Sequence, residues 1–389
     1  MAGAARSAGP IGCLIPQRQQ PSPAMKQSPT DAALPLAGIT VLDLTRLLPG
    51  PMATMHLADM GATVIKIEDK AAGDYARTMS HVRNELSQLF IAVNRGKQFI
   101  QLDLKNKNDH ADFIARVKQA DVVIESFRPG VMDKLGLGWE VLRSHNPKLV
   151  LCSISGYGQT GPLSQLAGHD INYLATAGVL AQNTDASGRP VLPNLQIADL
   201  LGGTQSALQG LLAALVAVKM GGAGRHVDVS MTDAAFAHHL MPLLAVNFYG
   251  RSAAPARDFL NGGVPCYNLY RTKDDRYMAV GALELKFWQN CCDVLEQPDL
   301  KNLHWSLGQT IGGEEAMAVK ALLDEIFSQA TQEEWSQRFS AHDCCVCPVL
   351  SPDEAIHHPH FQARAMITQD QHATEGAYLK TGPSVQFRK

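Results

Sequence analysis

From residue 36 onward the chain alternates short apolar runs with longer stretches of helical periodicity. Apolar runs fall at 39–44, 63–68, 99–104, 121–125 and 149–154, with a helical pattern at 52–60 between the first two. Continuous apolar strands joined by helices predict a parallel sheet covered on both faces. Gly61 stands where a helix end needs a left-handed residue before the next strand. Residues 200–220 predict one long apolar helix closed by Gly221 and Gly222, and a strand follows at 226–231. From about residue 261 the texture changes. Aromatic and β-branched runs at 267–271 and 277–280 flank the polar turn 272–276, a hairpin signature. Helical patterns follow at 284–295, 315–329 and 332–341.

The expected fold class is therefore α/β: a Rossmann-like large domain with a parallel sheet, plus a smaller α+β domain. The large domain is expected at 36–230, and a linker helix with the small domain at 231–344. Residues 345–389 are expected to pack back on the large domain. Residues 1–35, rich in Ala, Gly, Pro, Ser and Gln, read as a tail outside the fold.

Composition narrows the function. The 389 residues are 46% hydrophobic, enough to bury a sizeable core. Lys+Arg 34 against Asp+Glu 37 gives a net charge of -3, which argues against a nucleic-acid partner. No apolar stretch runs 18 residues uninterrupted, so no membrane span is expected. Eight irregularly spaced cysteines suggest a reducing, cytoplasmic compartment. Cys344 and Cys347 form a lone C-x-x-C, read as small buried thiols rather than a metal or redox site. His357, His358 and His360 flank a proline and read as a polar turn, so no metal is expected. The fingerprints of dinucleotide, P-loop, zincin and α/β-hydrolase sites are all missing, which weakens a nicotinamide reading.

Two segments place an ionisable group just ahead of a helix: Ala167-Gly-His-Asp-Ile-Asn-Tyr173 and Ile197-Ala-Asp-Leu-Leu-Gly-Gly203. Asp199 there is open to two readings. It could simply cap the helix, or it could act with His169 across one pocket, moving a proton to and from a carbon acid. Basic residues near strand ends are the other candidates: Arg95, Lys97, Lys105 and Arg128. Ligands of doubly wound sheets bind outside the carboxyl ends of the strands, which places Lys105 and Arg128 to meet phosphates.

As a set these residues are familiar. From Leu36 onward the chain resembles the family III CoA-transferase superfamily (CaiB/BaiF type), and within it the α-methylacyl-CoA racemase branch. The resemblance runs through Leu57-Ala-Asp-Met-Gly-Ala-Thr-Val-Ile-Lys-Ile-Glu68, Asn94-Arg-Gly-Lys97, Ala120-Asp-Val-Val-Ile-Glu-Ser-Phe-Arg-Pro-Gly130 and Ser155-Gly-Tyr-Gly-Gln-Thr-Gly-Pro162. It implies an enzyme that racemises 2-methylacyl-CoA thioesters with His169 and Asp199 as the two acid/bases. Asp170 would orient the His169 ring, and Glu284 would pair with it. The coenzyme A part of the substrate would meet Leu102, Asp103, Leu104 and Lys105, then Ser126, Phe127 and Arg128, then Lys134, and finally Gly168, Ile171, Asn172 and Tyr173. No separate cofactor is implied. Where the racemases often carry a basic residue, this chain reads Asp69. The resemblance also implies an interlocked homodimer in which Glu284 acts across the interface. The alternative within the superfamily is CoA transfer between carboxylic acids with Asp199 as nucleophile. A silent acyl-CoA-binding protein is a third reading, disfavoured because His169, Asp199 and Glu284 are all retained.

Overall fold

Six short segments, the four central ones mainly aliphatic and β-branched, become the strands of one sheet: β1 (Thr40–Asp43), β2 (Thr63–Glu68), β3 (Gln98–Gln101), β4 (Val122–Glu125), β5 (Val150–Ser155) and β6 (Arg225–Ser230). The computed structural model describes residues 34–185 and 187–388, so the tail expected at 1–35 lies outside the described residues except for its last two positions. All five pairings are parallel, in the order β3-β2-β1-β4-β5-β6. This is the doubly wound order, and it reverses between β1 and β4, where the following loops part and open a crevice.

Alternate residues of the strands feed two cores. Val41, Val122, Ile124 and Val150 pack on one face with Leu57 and Leu211. Leu42, Val123, Leu149 and Leu151 pack on the other with Phe113 and Leu142. β3 is an edge strand and ends at Gln101, three residues before the expected end.

The long helix expected at 200–220 is wound in two ways. Ala198–Gln205 is π-helical and runs directly into the α-helix Ser206–Lys219. Packing explains the wide turn. A Cβ on Gly202 would lie 2.6 Å from the Met231 carbonyl oxygen, and one on Gly203 would lie 2.5 Å from Pro49 Cβ. The glycines thus let the segment wedge between the helices Pro49–Asp59 and Met231–His238. Ala198–Lys219 is long and apolar enough to cross a membrane. Its Ala207, Leu208, Leu211, Ala214 and Leu215 are buried in the sheet-facing core instead.

The expected hairpin forms from β7 (Tyr267–Arg271) and β8 (Tyr277–Gly281). A third strand, β9 (Val346–Pro348), pairs antiparallel with β8. Residues 346–348 therefore belong to the small sheet, which corrects the division placed at 344/345. Trp288, Phe327, Trp335 and Tyr270 fill the core beside this sheet. Cys344 is buried there, but Cys345 and Cys347 are exposed, so the C-x-x-C is only half buried. The last hairpin, β10 (Ile367–His372) with β11 (Gly376–Thr381), docks on the large domain through buried Glu375. Its carboxylate accepts the N–H groups of Asn84, Glu85 and Leu86 at 2.8–3.1 Å.

Candidate active site

The crevice between β1 and β4 is built on buried charge. Asp43, at the end of β1, is fully buried and accepts from Thr45 N–H (2.9 Å), Thr45 Oγ1 and Thr54 Oγ1 (both 2.6 Å). Lys97 closes this cluster with an ion pair at 3.1 Å. Burial pushes the Asp43 carboxyl up, but Lys97 and Lys66 outweigh it and hold the group below its usual range. Burial also pulls Lys97 down to about 8. A second pair, Lys66 with Asp74 at 2.9 Å, lies alongside. Lys66 Nζ donates to the Thr45 carbonyl at 2.6 Å, and Asp74 Oδ1 accepts the Leu47 N–H at 3.1 Å. The loop after β1 is thereby held on the approach to a strained residue: Leu47 has φ 65, a left-handed conformation that bulky side chains avoid.

Two cavities flank this loop. The first, about 570 Å³, is lined on one side by Arg46, Ser126, Phe127 and Arg128, and on the other by Gly168, His169, Asn172, Tyr173 and Asp199. The second, about 480 Å³, is lined mainly by Leu47, Leu48, Met79, Leu89, Leu174, Leu180 and Leu192. Leu47, His169 and Asp199 line both. A larger cavity of about 670 Å³ lies elsewhere, against residues 383–388, and its one carboxylate, Asp59, is tied to Arg95.

At the junction, His169 precedes the helix Asp170–Thr176, and its N–H donates to Asn172 Oδ1 at 3.0 Å. Asp199 comes from the first turn of the π-helical segment, and its N–H donates to Asp170 Oδ1 at 3.0 Å. Asp170 is thus tied to the backbone of Asp199. Burial, with the Asp170 carboxylate adding to it, pushes Asp199 up to about 7. Such a carboxyl can both accept and release a proton near neutrality. Tyr173 cinches the segment by donating to the Gly168 carbonyl at 2.5 Å. Its ring leaves no room for a side chain at Gly156, where a Cβ would lie 2.4 Å away. Burial holds the Tyr173 phenol up at about 12, so it stays a neutral donor.

Among the residues expected around coenzyme A, Ser126, Phe127, Arg128, Gly168, Asn172 and Tyr173 line the first cavity. Ile171 and Asp170 line the second. Leu102, Asp103, Leu104, Lys105 and Lys134 line neither; Leu102 is buried in the core, and Lys105 and Lys134 are exposed. Glu284 lies exposed ahead of the helix Leu285–Val294 in the small domain, and it too lines neither cavity. Of the other candidate cations, Arg95 is held in a part-buried ion pair with Asp59 and Lys97 in a buried one with Asp43. The residue that sequence reasoning missed is Arg46. It follows the central strand at the point where strand order reverses. Its guanidinium lies 5.7 Å from the Tyr75 ring centre and 5.6 Å from that of Phe127.

Comparison with known proteins agrees with this architecture. Residues 36–389 match the model of CoA-transferase family III. The chain is 35% identical over 339 residues to alpha-methylacyl-CoA racemase of Homo sapiens, covering 86% of this chain and 83% of that protein. It is 34% identical over 337 residues to acetyl-CoA:oxalate CoA-transferase of Acetobacter aceti, covering 86% and 85%. The crystal structure of a CaiB/BaiF family protein from Brucella suis superposes with a TM-score of 0.77 at 26% identity, covering 92% of this chain and 93% of that one. The chain is an enzyme that belongs to CoA-transferase family III.

Proposed function

We propose that this enzyme epimerises 2-methylacyl-CoA thioesters by 1,1-proton transfer. The observation that carries this reading is the position of His169 and Asp199 where two cavities of opposite character meet. The first cavity, with Arg46 and Arg128, suits the anionic coenzyme A arm. The second has no Lys or Arg in its lining and suits an aliphatic acyl chain. The α-carbon of the thioester then lies between the two groups. Ionised Asp199 removes the α-proton from one face while protonated His169 delivers a proton to the other. Run in the opposite sense, the roles exchange. Neither group is a strong base, so enolate stabilisation in a water-poor pocket must supply most of the barrier reduction. Asp170 holds Asp199 in place through its backbone.

The alternative, CoA transfer with Asp199 as nucleophile, is weakened by one feature. A dicarboxylic acceptor would leave its distal charge unpaired among leucines.

The functional unit in this reading is an interlocked homodimer, in which Glu284 of the partner subunit approaches His169. In support, the linker helix Leu240–Tyr249 buries none of its residues and exposes Leu240, Leu244, Phe248 and Tyr249. A helix apolar at every position but Asn247 needs a partner.

The test incubates one epimer of a 2-methylacyl-CoA in D2O with no carboxylic acid present. Deuterium entering the α-carbon with loss of optical purity is the expected result. Absence of exchange, with CoA transfer once free acids are supplied, would overturn the reading in favour of the transferase. Arg46→Ala should weaken thioester binding about tenfold and leave kcat nearly unchanged, because the charge acts on the coenzyme A arm rather than on the reacting carbon. Steady-state kinetics with the same thioester checks it.

A further inference from the structure

Behind the wall of the first cavity, Glu125 ends β4 with only 3% of its surface exposed. Other acidic groups gather around it. They are Asp133 from the helix Val131–Lys134, Asp228 from β6, and the thiol of Cys152 from β5. Ser153, also from β5, offers its hydroxyl, which is shared with the His226 ring at 2.9 Å. Burial pushes the Glu125 carboxyl up to about 7. A buried carboxyl flanked by other acids is unfavourable unless it holds something in place. What it holds is the backbone: its Oε2 accepts the Phe127 N–H at 2.7 Å. Phe127 in turn carries the Arg46 guanidinium over its ring, and the neighbouring Ser126 Oγ accepts the Arg46 N–H at 3.3 Å.

We propose that Glu125 is a positioning residue for coenzyme A: its carboxyl fixes residues 126–128 so that Phe127 and Arg46 together form one wall of the cavity. The proposal rests on the assignment of that cavity to coenzyme A. It assigns work to a side chain that never touches the ligand. An uncharged acceptor of the same shape serves equally well, since the hydrogen bond needs only an oxygen.

The test titrates free coenzyme A calorimetrically into the wild-type protein, Glu125→Ala, Glu125→Gln, Arg46→Ala and the Glu125→Ala/Arg46→Ala double variant. Glu125→Ala should weaken binding about tenfold, and Glu125→Gln should stay within about threefold of wild type because its amide oxygen keeps the Phe127 bond. In the double variant the two losses should combine to less than their product, since both act through one stack. At saturating thioester, kcat of Glu125→Ala should stay within about twofold of wild type. Unchanged affinity in Glu125→Ala, a kcat loss with binding intact, or a Glu125→Gln as weak as the alanine would each overturn the proposal. A wild-type protein that does not bind coenzyme A overturns the cavity assignment as well, a result distinct from an indifferent Glu125. Should Glu125→Ala not fold, hydrogen exchange at the Phe127 amide of the wild-type protein decides. Slow exchange without ligand, slowed further by coenzyme A, supports the positioning role of Glu125; exchange as fast as in open loops removes it.

Discussion

In D2O, the His169→Ala protein is expected to exchange the α-proton of one epimer only, and to invert neither. With a single base left, Asp199 takes a proton from its own face and returns deuterium to that same face. Racemisation should fall by about 10³-fold or more, in line with the loss of a positioned acid. Exchange should also rise with pH through about 7, because Asp199 acts as base only when ionised, and burial with Asp170 holds it neutral below that point. Asp199→Asn should give the mirror result, with exchange confined to the other epimer. In the wild-type protein the two epimers must share one pH profile for kcat/KM, since the equilibrium between them involves no net proton. The methyl doublet in the proton NMR spectrum, collapsing to a singlet on α-deuteration, reports exchange; chiral chromatography reports inversion. Exchange of both epimers by His169→Ala would remove His169 from the mechanism.

The second large effect lies away from the chemistry. Lys66→Met leaves the Asp74 carboxylate buried without its partner and frees the Thr45 carbonyl. Breaking a buried pair from one side should cost about 3–5 kcal/mol of stability, read as a lower midpoint in urea unfolding. Activity should fall with it, because the loop beside both cavities loses its hold on Thr45, and the carboxylate that accepts the Leu47 N–H loses its own partner. Lys66→Met/Asp74→Asn should recover part of the stability, since Asn keeps an acceptor for the Leu47 N–H and carries no charge. No recovery in the double variant would show that the loss comes from packing and not from the orphaned carboxylate.

Much of this site was legible in the sequence because its parts begin elements. His169 and Asp199 stand just ahead of apolar periodicity, and β4 leads straight into Ser126, Phe127 and Arg128. The parallel sheet followed from unbroken apolar runs, which only strands buried on both faces can carry. Other features were hidden because tertiary contacts decide them. The π-helical winding at 198–205 depends on how closely Met231 and Pro49 approach two glycines. Arg95 and Lys97 read as surface cations until Asp59 and Asp43 meet them across the fold. The expected third strand stops at Gln101 because its one neighbour, β2, ends opposite it at Glu68. Arg46 looks like any loop arginine until Tyr75 and Phe127, 29 and 81 residues on, converge on it. Glu284 was singled out by resemblance alone, since nothing in its own neighbourhood marks it.

The wide turn that carries Asp199 has an evolutionary side. A π-helical turn holds more residues than an α-helical one, and removing one residue restores the ordinary winding. A deletion within 200–205 would therefore be absorbed by the change of winding, leaving Asp199 and the helix Ser206–Lys219 each facing its present neighbours. The same deletion inside Ser206–Lys219 would instead turn everything beyond it by about 100°, so length can change in the wide turn without redirecting the acid.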